Sequence, residues 1–314
     1  QIRDLGAHQA EEDWFFYQIF EPALQQDYSA SVSGGTDKTT YMVSLGYHNQ
    51  ASNYVSSPKF GLERYNMRTN ITTELGRLKL TAGMAYTRNN SLSTTGGSLE
   101  INASRIPPYY YYKMKSEDGR YLVNDLVNDF TSLGQLESGS FNKFGYNILN
   151  TNLTGELKLI EGLKLRGVLG VDITGNTRFT RNFPQTFWAG ENATEPRSVS
   201  DEYFRSENWN DDTYRVNTQL LLDYNRTFEK HNVYGLIGVT SESFTYVSNE
   251  TGKKYVDHEL GVATSKTNEA GNIWSSTSMD NTSKTLISSL IGRAGYVYDD
   301  RYYAEFSFRY DGSS

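Results

Sequence analysis

The chain has no cysteine, which excludes a disulfide framework and every thiolate metal site and leaves the redox compartment open. It has no run of about 18 apolar residues, so it encodes no transmembrane helix. It has no clustered basic patch either. Thirty Lys and Arg against 37 Asp and Glu give a net charge of −7 and a pI near 5.3, which excludes a general nucleic-acid binder. Only 37% of the 314 residues are hydrophobic, and the mean hydropathy is −0.61. Tyrosine, by contrast, is abundant: 24 of them lift the aromatic share to 14%.

Motifs for chemistry are missing as well. His8, His48, His231 and His258 stand singly, with no HExxH and no pair at i, i+4, so no catalytic zinc is expected. Asn208, Asn210, Asp211 and Asp212 offer oxygen ligands, but their spacing departs from an EF-hand loop and reads as a solvated acidic turn. Ser56–Lys59 and Ser140–Lys143 satisfy SxxK without its helix start or partner motifs. GGTDKT lacks the GK[ST] step of a phosphate loop and leads into a strand. Asn-x-Ser/Thr sequons at Asn70 and Asn152 fall inside strands and read as coincidence in an Asn/Thr-rich chain. Neither an enzyme nor a cofactor is expected.

What the chain does have is alternation. In LTGELKLIEGLKLRGVLGVDI, residues 153–173, Leu153, Leu157, Leu159, Leu163, Leu165, Leu169, Val171 and Ile173 take every second place, with Gly155 and Gly167 completing the stripe. Thr154, Glu156, Lys158, Lys164, Arg166 and Asp172 fill most of the rest. The same plan recurs around GGTDK (34–38), LGR (75–77), FEKHN (228–232) and DDR (299–301), each joining two alternating segments. This predicts five hairpins and about ten strands. Segment 233–240 fits least well, because its apolar residues occupy both faces.

The connections alternate too. Those within pairs are short, whereas 49–59, 90–145, 183–212 and 247–282 are long, polar and rich in Gly, Asn and Ser. Short turns at one end and long loops at the other are the asymmetry of an outer-membrane barrel. The segments run to about 10–16 residues, beyond the 5–6 of an average soluble strand and enough for a tilted crossing of a bilayer. The stripes often end in tyrosine, at Tyr47, Tyr86, Tyr214, Tyr224, Tyr298 and Tyr310, as expected where a ring meets lipid headgroups. The expected fold class is therefore all-β: an antiparallel transmembrane β-barrel segment whose stripes face lipid, with Glu156, Lys158, Lys164 and Arg166 facing a wet lumen. A half-buried strand of a soluble sandwich alternates in the same way; the five matched pairs favour the barrel.

Several segments also resemble a known family. DYSASVSGGTDKTTYMVSLGYHNQ, with Asp13 and Trp14 upstream, resembles the first barrel segments of the SusC/RagA-like TonB-dependent transporters. LERYNMRTNITTEL is similar to their next strand and RIPPYYYYKMKSEDGRYLV to the loop segment beyond it. SSLIGRAGYVYDDRYYAEFSFRYDGSS is similar to a late-middle hairpin ending in RxDGSS. Residues 49–58 depart from the pattern by lacking a glycine after the strand, and Tyr310 stands where a second charge is common.

The resemblance implies a 22-stranded barrel, of which residues 1–314 would supply less than half. At about 31 residues per strand the whole barrel needs on the order of 700 residues. Gln1 is not a start methionine and IRDLGAHQAEEDW carries no signal-peptide pattern, so the chain is expected to be internal to something longer, with plug domain, TonB box and terminal strand elsewhere. The implied function is driven import of a glycan or oligopeptide through the outer membrane of a Gram-negative, Bacteroidota-type bacterium. The implied partners are a SusD-like surface lipoprotein as lid, TonB through the plug, and outer-membrane lipid.

Candidate contacts to substrate or lid are Tyr109, Tyr110, Tyr111 and Tyr112, the densest aromatic cluster, and Trp188, Trp209 and Trp274, one in each of three long loops. Loop packing is the competing role for each. A passive porin-type barrel and a soluble β-sandwich carbohydrate-binding module remain as alternatives.

Overall fold

The computed structural model describes residues 19–56, 59–96, 99, 114–123, 131–200, 204–255 and 279–314. Ten strands form one antiparallel sheet: β1 (Gln25–Gly35), β2 (Thr39–Ala51), β3 (Gly61–Leu75), β4 (Leu78–Ser93), β6 (Phe141–Ile160), β7 (Leu163–Asn182), β10 (Phe204–Phe228), β11 (His231–Tyr255), β12 (Met279–Tyr298) and β13 (Tyr302–Ser313), in that spatial order. A second sheet of three short strands, β5 (Tyr121–Leu122), β8 (Thr186–Trp188) and β9 (Ser198–Val199), lies in the loops with one helix, α1 (Ser132–Glu137).

All five expected hairpins are present, and their turns fall within the segments read from sequence. Gly76 and Gly162 adopt φ of 63° and 81°, the left-handed region that tight hairpin turns demand. The β10–β11 and β12–β13 turns place Glu229, Asp299 and Asp300 there instead. The strands are longer than expected at the long-loop end: β10 and β11 each reach 25 residues.

Alternation sorts the side chains onto two faces. On one, Leu222 pairs with Leu165 and Ile237, Leu220 with Val239, and Leu290 with Tyr310. This face is bare: Leu220 is 52% exposed, Val239 53%, Phe306 68% and Tyr310 75%. Among the described residues no element lies over it. A sandwich would have covered this stripe with a second sheet, and among the described residues no second sheet packs on it.

The apolar stripe has a definite height and slope. On β10 it runs from Tyr214 to Tyr224, about 25 Å of height for a tilted strand, the height of the apolar band of transmembrane barrels. Tyr28, Tyr47 and Tyr65 cap it on β1–β3, yet the register row through them reaches Thr282 on β12, eight residues short of Leu290, the partner of Tyr310. At the other edge the row through Leu75 reaches Gly292, six residues short of Tyr298. A drop of six to eight residues over the six strand steps from β3 to β12 is a tilt of roughly 35–40° at about 3.3 Å per residue and 4.8 Å per strand, as barrels require.

Candidate functional site: the polar face and the loop cap

At the long-loop end the connections fold together. Ile19, Phe60, Leu99, Met114, Leu133 and Leu136 form a buried cluster, and Leu92 and Phe141 from the tips of β4 and β6 pack against it. The cap is thus built from the segment before β1 and the loops after β2 and β4, and β8 attaches the loop after β7 by pairing with β5. Phe187 of β8 is fully buried against Gly134, where a Cβ would stand 2.6 Å from the ring.

Trp188 belongs to this packing. The Arg120 guanidinium lies over its ring at 4.5 Å, and its carbonyl accepts the Val123 amide at 2.8 Å. Arg120 also pairs with Asp118 at 2.8 Å and donates to the Ala193 carbonyl at 3.1 Å. The Ser116 hydroxyl, and then the Arg120 charge, hold the Asp118 carboxyl below the usual carboxylate range against the opposing pull of desolvation. Close by, Tyr121 donates to Glu137 at 2.7 Å, and Lys115 reaches the same carboxylate at 2.6 Å. Burial first, and the Glu137 carboxylate second, push the Tyr121 phenol well above its ordinary range.

Trp209 differs from its expected placement. It stands in β10, because the strand extends ten residues past Tyr214 where a loop was expected. It shares the polar face with Arg178, whose guanidinium lies 5.4 Å from its ring. Tyr109, Tyr110, Tyr111, Tyr112 and Trp274 lie outside the described residues.

The polar face carries charge in an ordered way. Near the short turns, signs alternate from strand to strand: Glu74 with Lys79 at 3.6 Å, Glu156 with Lys164 at 3.1 Å, Arg166 with Asp223 at 3.1 Å, and Arg293 with Glu305 at 2.6 Å. Tyr234 donates to Glu305 at 2.8 Å. This line descends across the sheet with the apolar stripe on the other face. Sequence reading placed Glu156, Lys164 and Arg166 on this face but missed the line, because pairing partners far apart in sequence become visible only once the register is known.

Higher on the same face amides dominate. Asn66, Asn70, Asn150, Asn152, Asn217 and Gln219 project with Arg68, Asp172 and Arg215. Asn150 donates to Asp172 at 2.8 Å, whereas Arg215 and Glu242 are loosely paired at 3.9 Å. Each amide can donate and accept at once, so this wall can hydrogen-bond a polar solute over much of its height. Among the described residues no group of three His, Asp or Glu side chains is gathered for a metal.

No protein-family model matches the chain, and no curated protein does. Solved structures do. The RagAB peptide importer in its closed-closed state matches with a TM-score of 0.74 and 19% identity over 96% of this chain. A further RagAB peptide transporter structure matches with a TM-score of 0.69, and the open-open state with 0.66. The chain spans about a third of the length of the chains it matches, 33% in the closed-closed state. The ten-strand antiparallel sheet therefore matches, in fold, part of the chain in the RagAB structures, and the all-β antiparallel class expected from sequence is borne out.

Proposed function

We propose that a chain folded as ten strands of a RagA-type barrel supplies wall and outer loops to an outer-membrane, TonB-dependent importer of a nutrient, either an oligopeptide or a glycan. The observation that carries this is the division of one sheet into a bare apolar face of bilayer height and a charged, amide-rich face, with its loops gathered at one end. The first faces lipid and the second a wet lumen. A SusD-like lipoprotein over the loop cap, and TonB acting through a plug elsewhere in the protein, complete the importer. No covalent chemistry is asked of this chain; it guides a solute that the plug releases.

Of the two solutes, the oligopeptide is the first to test, since the matched structures are of a peptide importer. The test is uptake of labelled oligopeptides and oligosaccharides by cells with and without the full-length gene, with and without a protonophore. Loss of one solute class on deletion, and on collapse of the proton gradient, supports driven import. Uptake that survives the protonophore identifies a passive pore.

A further inference from the structure

We propose that the hollow where the polar face meets the loop cap binds one neutral sugar ring. The site belongs to the cap and stands whichever solute the barrel imports.

The hollow has a volume of about 180 Å³, below the roughly 300–1,000 Å³ of a drug-sized site, so it admits one small ring and no oligomer. Segments far apart in the chain build it. Thr95 lies just past β4, Ser140 just before β6 and Asn182 at the end of β7, with Gln135 of α1 and Ser200 just past β9 on the other sides. Below, the Thr180 hydroxyl donates to the Asn142 side chain at 2.7 Å, and the Asn142 amide donates to the Thr94 carbonyl at 3.0 Å, which ties the tips of these strands together. Phe183 gives the hollow one apolar wall, and Phe204 packs edge to face on that ring with centroids 5.7 Å apart.

The rest of the lining is neutral and largely unspent. None of the bounding residues carries a charge, and the Arg181 guanidinium, which lies over the Phe183 ring at 4.6 Å, is not among them. Thr95 and Asn182 make no side-chain hydrogen bond among the described residues. The Ser140 hydroxyl, in a residue only 4% exposed, accepts the Phe183 amide at 2.9 Å, and the Ser200 hydroxyl accepts the Gln185 amide at 3.0 Å. Each keeps its proton to donate. Gln135 Oε1 is buried without a partner, and rotation of its side chain into the hollow would satisfy it with a ligand hydroxyl. A pyranose carries hydroxyls that donate and accept around an apolar C–H face, and so matches these hydroxyls and amides and the Phe183 wall together. A peptide terminus or a phosphate would bring a charge that no lining group neutralises. A wholly apolar group would leave the hydroxyls and amides without partners.

The test uses the full-length protein in a polyoxyethylene detergent, which carries no sugar to compete, with the methyl pyranosides of glucose, mannose and galactose titrated by saturation-transfer NMR. Expected is binding of at least one of them, weakened about fivefold by Asn182→Ala and by Thr95→Val through loss of one neutral hydrogen bond each. Ser200→Phe, which fills the hollow, abolishes it. Gln219→Ala, an amide on the polar face away from the hollow, leaves binding unchanged, and heat-modifiable gel mobility checks that every variant is folded. Failure of all three pyranosides to bind shows a hollow filled by water alone and overturns the site, as does binding indifferent to both Asn182→Ala and Ser200→Phe. Import is scored separately by the uptake assay above. Uptake that persists without pyranoside binding overturns the site and leaves the importer standing, whereas pyranoside binding by a protein whose deletion changes no uptake upholds the site and overturns the importer.

Discussion

Leu221 occupies the space that a side chain at Gly238 would need. The two are direct partners across β10 and β11, and a Cβ on Gly238 would lie 2.5 Å from Leu221 Cδ2 and 2.5 Å from the Leu220 carbonyl oxygen. Leu221 is 4% exposed, an apolar side chain buried on the predominantly polar face. Gly238→Val is therefore expected to destabilise the full-length protein by about 1–3 kcal/mol, with Leu221→Ala in the same chain recovering part of the loss. Urea unfolding midpoints of the single and double variants check this.

The two faces should respond oppositely to charge. Leu220→Arg places a guanidinium at the centre of the apolar stripe and is expected to cost about 2–4 kcal/mol of folding into bilayers. Gln219→Arg, one residue away on the polar face beside Asn217, is expected to cost little. Folded fractions in lipid vesicles, read by heat-modifiable gel mobility, separate the two; equal losses would argue against a lipid-facing stripe.

Arg166 and Asp223 are partly shielded, with side chains 29% and 18% exposed. Removing one partner leaves the other short of its hydrogen bonds in a half-dry site, at about 1–2 kcal/mol. Arg166→Gln and Asp223→Asn should each show this loss, and the double variant less than their sum, in a thermal-stability cycle.

Tyr121 offers a pH handle on the cap. Its phenol is raised in the folded state by burial and Glu137, so this group's contribution to stability is complete below the ordinary phenol range and is lost as pH rises through the folded value. The difference in ultraviolet titration between the parent and Tyr121→Phe should show one tyrosine ionising later than the rest. Titration of that residue with the bulk would show that the Glu137 contact does not form.

Trp188 and Trp209 should part company in function. Trp188→Ala removes the Arg120 stack and loosens the cap, so proteolysis of the loops should rise. On the importer reading proposed above, Trp209→Ala, on the polar face beside Arg178, should lower solute uptake without that change.

Much of the fold is legible in the chain because a half-wet strand imposes period two. The turn at Glu161–Gly162 and the stripe from Leu153 to Ile173 are legible directly and are as expected, except that a register shift between Lys158 and Ile160 takes Leu159 out of the paired row and sets Ile160 opposite Leu163. Segment 233–240 resisted the pattern for a definite reason: Leu236 points to the polar face beside Arg293, while Val233, Ile237 and Val239 point outward. The upper half of β10 carries no strand pattern because Asn208, Asn210 and Asp212 face outward beyond the apolar stripe, where alternation of polarity has no cause. The cap was invisible for another reason. Ile19, Phe60, Leu99, Met114 and Leu136 come from segments far apart in the chain, and no local period joins them.

The slope of the apolar stripe means that partners in register are not partners in depth. Tyr65 and Thr282 lie on one unbroken row of paired residues, yet when Tyr65 sits at the lipid surface Thr282 stands roughly 20 Å out in the water. The hydrogen-bonded rows therefore cross the sheet obliquely, like the thread of a screw.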